Sequence, residues 1–359
     1  MTVTTELRAA RLAAPAAVRI WLFAVAALVF LMVAVGGATR LTGSGLSITE
    51  WQPILGAIPP LTDADWWEAF DSYQQIPEYR LVNKGMSLAE FKAIFWWEWA
   101  HRFLGRLIGL AFALPLAWFW VRGELPRSLG MPLLGLLALG ALQGFVGWYM
   151  VQSGLVDRVD VSQYRLALHL SLAVLIFGLL LWIGLGLDPR RANASPRVPS
   201  GQQSFGIALL GLVFLQIVLG AFVAGLKAGL TYNTWPLMDG GLIPSGLLAL
   251  APWYLNLFEN VATVQFNHRM LAYVVTIAAL WHAITLTRAG ADRHVLASAW
   301  LLLAAIVAQA ALGVWTLLSV VALPLGIAHQ AGAVAVFGVA VWHTHRLIAM
   351  RLTPARASA

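Results

Sequence analysis

The chain has 359 residues, of which 60% are hydrophobic and 11% charged; its formal charge is +7, and it contains no cysteine. So apolar a composition exceeds what a soluble domain buries and points to a polytopic membrane protein. Without cysteine there can be no disulfide, iron–sulfur cluster, thiolate-ligated heme or cysteine nucleophile, and the positive charge, which forms no basic run or reading motif, does not point to nucleic acid.

Arg8, Arg11 and Arg19 precede the apolar run 20–39 in the manner of a signal peptide. The run is 20 residues long and no small-residue cleavage site follows it, so it reads as a retained first helix. Charge-free runs of about 20 residues mark transmembrane helices, here expected at 20–38, 93–121, 129–151, 163–187, 203–224, 262–287, 295–319 and 323–346. The last two share one uncharged stretch from His294 to His345, too long for one crossing and expected to break at Pro324. Between the first and second spans lies a long loop, 39–92. In it, Thr62-Asp63-Ala64-Asp65 and Ser87-Leu88-Ala89-Glu90 have the capping-box form that starts a helix, the second leading into the second span. Trp66, Trp67, Trp96 and Trp97 read as an interfacial belt or as the rim of a ligand site. Residues 188–202, rich in Pro, Ser, Asn and Arg, read as a cytoplasmic linker.

With the N-terminus inside, the inner segments carry Arg8, Arg11, Arg19, Arg122, Arg127, Arg190, Arg191, Arg197, Arg288, Arg293, Arg346, Arg351 and Arg356, which is 13 of the 23 basic residues. The first outer loop holds seven acidic residues. The positive-inside rule therefore places both termini in the cytoplasm.

The halves repeat. Gly45-Leu46 followed by Trp51 returns as Gly229-Leu230 followed by Trp235, and Gln143 with Gly147 returns as Gln309 with Gly313. His101-Arg102 returns as His268-Arg269, and His169 as His329. The expected fold is an all-α integral membrane protein whose eight transmembrane helices form two tandem four-helix bundles, 1–187 and 203–359, related by a pseudo-twofold axis.

In that topology His101, His169, His268 and His329 lie within the first turns of the even-numbered spans and share one depth. Two imidazoles on parallel helices at equal depth can ligate one iron from opposite faces of a planar macrocycle. One such histidine alone would read as a hydrogen-bonded core residue; four in register point to iron ligands. Zinc is the competing metal, but no acidic or thiolate ligands stand at structural-zinc spacing. Arg102, Arg106 and Arg269 fit either heme propionates or lipid phosphates. His282, His294, His343 and His345 lie toward the other membrane face and read as surface or packing residues.

The sequence resembles the heme A synthase family over almost its whole length. The match is carried by the stretch 36–47, GGATRLTGSGLS, by Glu98 three residues before His101, by His169, by Asn267-His268-Arg269 and by His329. The resemblance implies a protein of the inner membrane that serves cytochrome oxidase biogenesis. It would oxidise a methyl group of heme O to a formyl group by successive hydroxylations, with heme O as substrate in the N-terminal half and heme B in the C-terminal half. It is closest in kind to the cysteine-free branch of that family. The implied partners are heme O, a heme O synthase, an electron donor, membrane lipid and further copies of the chain in a homo-oligomer. Glu98 is matched in the repeat by the neutral Gln265, which assigns catalysis to the half with Glu98, His101 and His169. The competing reading of Glu98 is an ion pair with Arg102 one turn on. Two rival functions stay open: a bis-histidine cytochrome b that only carries electrons, and a heme or lipid transporter.

Overall fold

The computed structural model describes residues 3–125, 127–156, 159–188 and 200–348, and side chains from Ala16 onward excluding Arg127 and Ser200. Most of the expected linker lies outside the described residues, as do Arg158, Arg190, Arg191, Arg197, Arg351 and Arg356 and the side chains of Arg8 and Arg11. Among the described residues the helices of four turns or more are α1 (Val3–Leu41), α4 (Leu88–Val121), α5 (Gly130–Gln152), α6 (Gln163–Gly186), α7 (Ser200–Gly225), α8 (Val261–Arg288), α9 (Arg293–Leu318) and α10 (Leu323–Ile348). Each contains a segment long and apolar enough to cross a membrane, eight in all, as the charge-free runs predict. Two shorter helices, α2 (Asp63–Gln74) and α3 (Pro77–Leu81), lie in the loop between α1 and α4.

Helix boundaries follow local chemistry. Both capping boxes form: the Thr62 and Ser87 side chains accept from the backbones of Asp65 and Glu90, whose carboxylates accept in return. The Ser87 box starts α4 five residues earlier than the apolar run alone implies. At the other end of the chain the break falls at 319–322, where Val320 and Val321 take left-handed φ values of 52° and 56°. Pro324 sits in the first turn of α10, where its missing N–H leaves no helical bond unmade.

The helices pack as two rings that share a wall. In one, α1 packs on α4 and α6, and α5 on α4 and α6; in the other, α7 packs on α8 and α10, and α9 on α8 and α10. The rings meet where α1 and α6 contact α10 and where α6 contacts α7, so α1, α6, α7 and α10 form the centre. Val18, Leu22, Val25, Phe177, Leu180, Val334, Phe337 and Val341 fill it. Peripheral side chains such as Leu114, Trp118, Phe145, Ile277 and Trp281 are exposed, as lipid-facing residues should be.

Outside the rings the loop 39–92 has its own small core of Leu46, Trp66, Phe70, Tyr73, Ile76, Phe91 and Phe95. Trp66 is part of this core, edge-on to Phe95, with Lys92 4.9 Å from its ring centre. It therefore serves neither as belt nor as rim, whereas Trp67, Trp96 and Trp97 are exposed.

Polar bridges join the rings at the end that carries the loop 39–92. Arg40 Nη1 donates to Ala224 O, Lys227 pairs with Asp160 at 2.8 Å, and Tyr164 donates to Glu259 at 2.8 Å. Gly225 lies so close to α6 that a Cβ there would fall 2.6 Å from the Gln163 backbone. Gly225→Ala should therefore destabilise the fold by about 1–3 kcal/mol, while Gly211→Ala, with open space around it, should be neutral. Thermal unfolding of the two variants in detergent or lipid checks this contrast.

Candidate functional site

His101 and His169 stand on α4 and α6, which face each other across the diagonal of their ring. Their ring centroids are 6.5 Å apart with planes inclined at 59°. With metal–nitrogen bonds of about 2 Å, two imidazoles trans on one metal have centroids about 6–6.5 Å apart. His268 and His329 stand on α8 and α10, the corresponding diagonal of the other ring.

All four rings lie against a glycine of a neighbouring helix. A Cβ on Gly36 would come 3.1 Å from His101, on Gly147 2.9 Å from His169, on Gly220 3.1 Å from His268 and on Gly313 2.7 Å from His329. Any larger residue there would displace the ring, so the glycines set where each imidazole can stand. Three rings also have a glutamine four residues before their glycine. Gln143 Nε2 is 3.2 Å from His169 Nδ1 and donates to its backbone carbonyl at 3.1 Å. Gln216 repeats this on His268 at 3.1 and 3.0 Å, and Gln309 on His329 at 3.0 and 2.7 Å. The amide oxygens of Gln143 and Gln216 are buried without a partner. Turning the amide over would give up the bond to the carbonyl but bring that oxygen against Nδ1. The ring would then carry its proton on Nδ1 and offer the Nε2 lone pair to a metal.

Among the described residues no three His, Asp or Glu side chains gather to hold a metal ion. A metal between His101 and His169 needs its other donors from elsewhere, and a porphyrin supplies four in a plane. The histidine spacing and the glycine backing fit such a group.

Beside the histidines, α4 is laced to the loop above it by one side chain per turn. Glu98 Oε2 accepts from Ser47 Oγ at 2.8 Å and Ile48 N at 2.7 Å, and its Oε1 accepts from Arg102 Nε and Nη2 at 3.0 and 2.7 Å. Arg102 also donates to the carbonyls of Ile48 and Glu50, and Arg106 to those of Gln52 and Pro53. The ion pair that was the competing reading of Glu98 is therefore present. On α8 the series is Gln265, Arg269 and Tyr273. Gln265 Nε2 donates to Ala228 O at 2.9 Å, Arg269 donates to the carbonyls of Tyr232 and Thr234, and Tyr273 accepts from Trp235. Gln265 matches Glu98 in shape but not in polarity: where Glu98 accepts from an N–H and a hydroxyl, Gln265 donates to carbonyls. The guanidiniums are mostly spent on loop carbonyls. Arg106 Nη1 and Arg269 Nε remain buried without partners.

The remaining histidines sit away from these pairs. His282 and His343 are fully buried and hydrogen-bond each other Nε2 to Nε2 at 3.0 Å, with Gln202 and Ser298 on their Nδ1 atoms at 3.0 and 2.8 Å. His345 packs edge-on to Trp182, and His294 is exposed. The pairing of Gln216 with Gly220 and the role of Gly36 escaped the sequence reading, although Gln216…Gly220 has the same spacing as the two glutamine–glycine pairs that it noted.

Fold and site together define a polytopic helical membrane protein with four glycine-backed imidazoles inside its bundle. The cytochrome oxidase assembly protein family model matches residues 19–341, and the chain belongs to that family. It is 57% identical over 327 residues to the heme A synthase of Parvibaculum lavamentivorans, covering 91% of this chain and 93% of that one. It is 57% identical over 326 residues to that of Chelativorans sp., covering 91% and 90%, and 54% identical over 326 residues to that of Rhizobium meliloti, covering 91% and 88%.

Two predictions follow from these contacts. In Glu98→Gln the new amide N–H₂ must face either the Ile48 N–H or the Arg102 guanidinium. Such donor-to-donor opposition should cost about 1–3 kcal/mol, to be seen as faster proteolysis of the loop 39–92, whereas Gln265→Glu should disturb 228–237 in the same way. The second concerns Glu78, in the loop 39–92. Burial pushes its carboxyl up to about 7, against a smaller opposing effect of the Tyr73 hydrogen bond, while Glu98 and Asp160 raise it further and Lys227 lowers it. The folded form then binds the proton more tightly than the unfolded form. Its contribution, no more than about 3 kcal/mol, is complete below the ordinary glutamate range and is lost as pH rises through about 7. Unfolding of the core of the loop 39–92 should accordingly become easier between about pH 5 and 8, and Glu78→Gln should flatten that dependence.

Proposed function

We propose that this chain converts heme O into heme A, oxidising a ring methyl to a formyl group by two successive hydroxylations and loss of water from the geminal diol, a net four-electron oxidation whose oxidising equivalents come from an external oxidant. The observation that carries this reading is the diagonal pair His101 and His169, 6.5 Å apart and backed by Gly36 and Gly147, in a chain more than half identical to proteins named heme A synthase. The N-terminal ring, with that pair, takes heme O; the C-terminal ring takes heme B through His268 and His329. Bound heme would supply the redox chemistry.

The protein's own residues fix where the reacting ring can lie. His101 and His169 hold it from two faces, and the glycines keep the imidazoles upright. Glu98, one turn before His101, holds residues 47 and 48 over the site and sets a negative charge beside it. The unpartnered N–H groups of Arg106 and Arg269 are the donors left for propionates in the two halves. With both termini in the cytoplasm of a bacterial inner membrane, both sites lie toward the outer face. A heme O synthase and an electron donor are the protein partners this reaction calls for.

His268→Ala or His329→Ala should abolish the C-terminal heme B low-spin spectrum, and His101→Ala or His169→Ala should leave it in place while stopping heme A formation. A normal heme B spectrum in both C-terminal variants would contradict the assignment. Reporter fusions at residues 125, 195 and 290 should behave as cytoplasmic and one near 75 as external. An external signal at 195 would remove the shared depth of the histidines.

A further inference from the structure

Three of the four histidine positions are alike, and the fourth differs from them in two respects. Gln143, Gln216 and Gln309 each stand four residues before the glycine that backs a ring, and each touches both that ring and its backbone carbonyl. At the fourth position, four residues before Gly36, the chain has Met32. A thioether has no proton to donate and is only a weak acceptor. Met32 instead reaches the neighbouring turn of α4, with its methyl 3.5 Å from where a Cβ on Gly105 would stand. The His101 ring is also turned differently. Its Nε2–Cδ2 edge is nearest its glycine, whereas the other three rings present Cε1.

We propose that His101, the one ring of the four without a glutamine tether, is the exchangeable ligand of the N-terminal site, and that Met32 is the positioning residue that leaves it so. The inference rests on the proposed pairing of His101 and His169 around a heme. With the amide turned so that its oxygen accepts from Nδ1–H, such a glutamine fixes a ligating imidazole's orientation and raises its basicity, and losing a partner of that kind typically weakens metal binding by about 10- to 100-fold. His169 is tethered by Gln143 and stays on the iron. With heme bound, His101 would be the ligand that an external one can displace while His169 keeps its hold. The C-terminal pair, tethered on both sides by Gln216 and Gln309, offers no such ligand. One half is thereby made for ligand exchange and the other for retention.

The test uses full-length holoprotein purified from cells supplied with heme O, reduced and mixed with carbon monoxide, with binding followed optically. In the unaltered chain the N-terminal heme should bind carbon monoxide and the C-terminal heme should not. Met32→Gln should supply the missing tether and slow that binding about 10-fold or more, with the low-spin spectrum retained. Met32→Leu, apolar and without a donor, should bind as the unaltered chain does. Unchanged binding in Met32→Gln, or equal slowing in both variants, would overturn the inference. His101→Ala separates this from the underlying reading: if that variant leaves the spectrum of the N-terminal heme unchanged, His101 is not a ligand and the site assignment itself falls.

Discussion

A polar ring inside a membrane helix must find partners for its nitrogens within the protein, because hydrocarbon offers none. The rest of this structure depends on that constraint. All eight histidines fall within the spans, and around His101, His169, His268 and His329 the helices are arranged to accommodate the rings. Glycine on one neighbour makes room for each ring, and glutamine on the same neighbour occupies a nitrogen at three of the four positions. The histidine-bearing helices are placed on ring diagonals, and each imidazole packs against the glycine of a helix beside it.

The same constraint explains the loops above the sites. Residues 47–53 and 228–237 present backbone carbonyls and N–H groups to α4 and α8, whose Glu98, Arg102, Arg106, Gln265 and Arg269 supply partners for them. Arg102 and Arg269 serve carbonyls in both halves. Glu98 and Gln265 differ because the groups opposite them differ: an N–H and a hydroxyl in one half, carbonyls in the other. The charge at Glu98 is thus both a structural necessity of its loop and a negative charge beside the N-terminal histidines. Duplication preserved the positions while letting each half adjust its polarity.

Much of this was legible in the sequence because membrane burial leaves a coarse signal. Charge-free runs fixed the spans, Ser87 with Glu90 fixed the start of α4, and recurring His-Arg and Gln…Gly pairs marked the repeat. What was not legible depended on polarity at a distance. That Glu98 accepts from Ser47 and Ile48 while Gln265 donates to Ala228 cannot be read from two similar motifs, since the partners lie about 50 and 37 residues away. Trp66 looked like its exposed neighbours because core and interface use the same residue. His282 and His343 could be placed near one another in depth, but their direct contact at 3.0 Å is set by the rotation of α8 and α10. Met32 gave no signal of its own; it became informative only once three glutamines had been found where it stands.

The central claim is that two equivalent histidine frames hold two different hemes, one retained and one transformed. Extraction of pigment from the purified protein, made in cells supplied with heme O, tests it most directly. The account predicts heme B together with heme O or heme A in every preparation, with heme B alone surviving in His101→Ala and His169→Ala. Heme B as the only pigment of the unaltered chain would contradict it and leave a membrane cytochrome that only carries electrons.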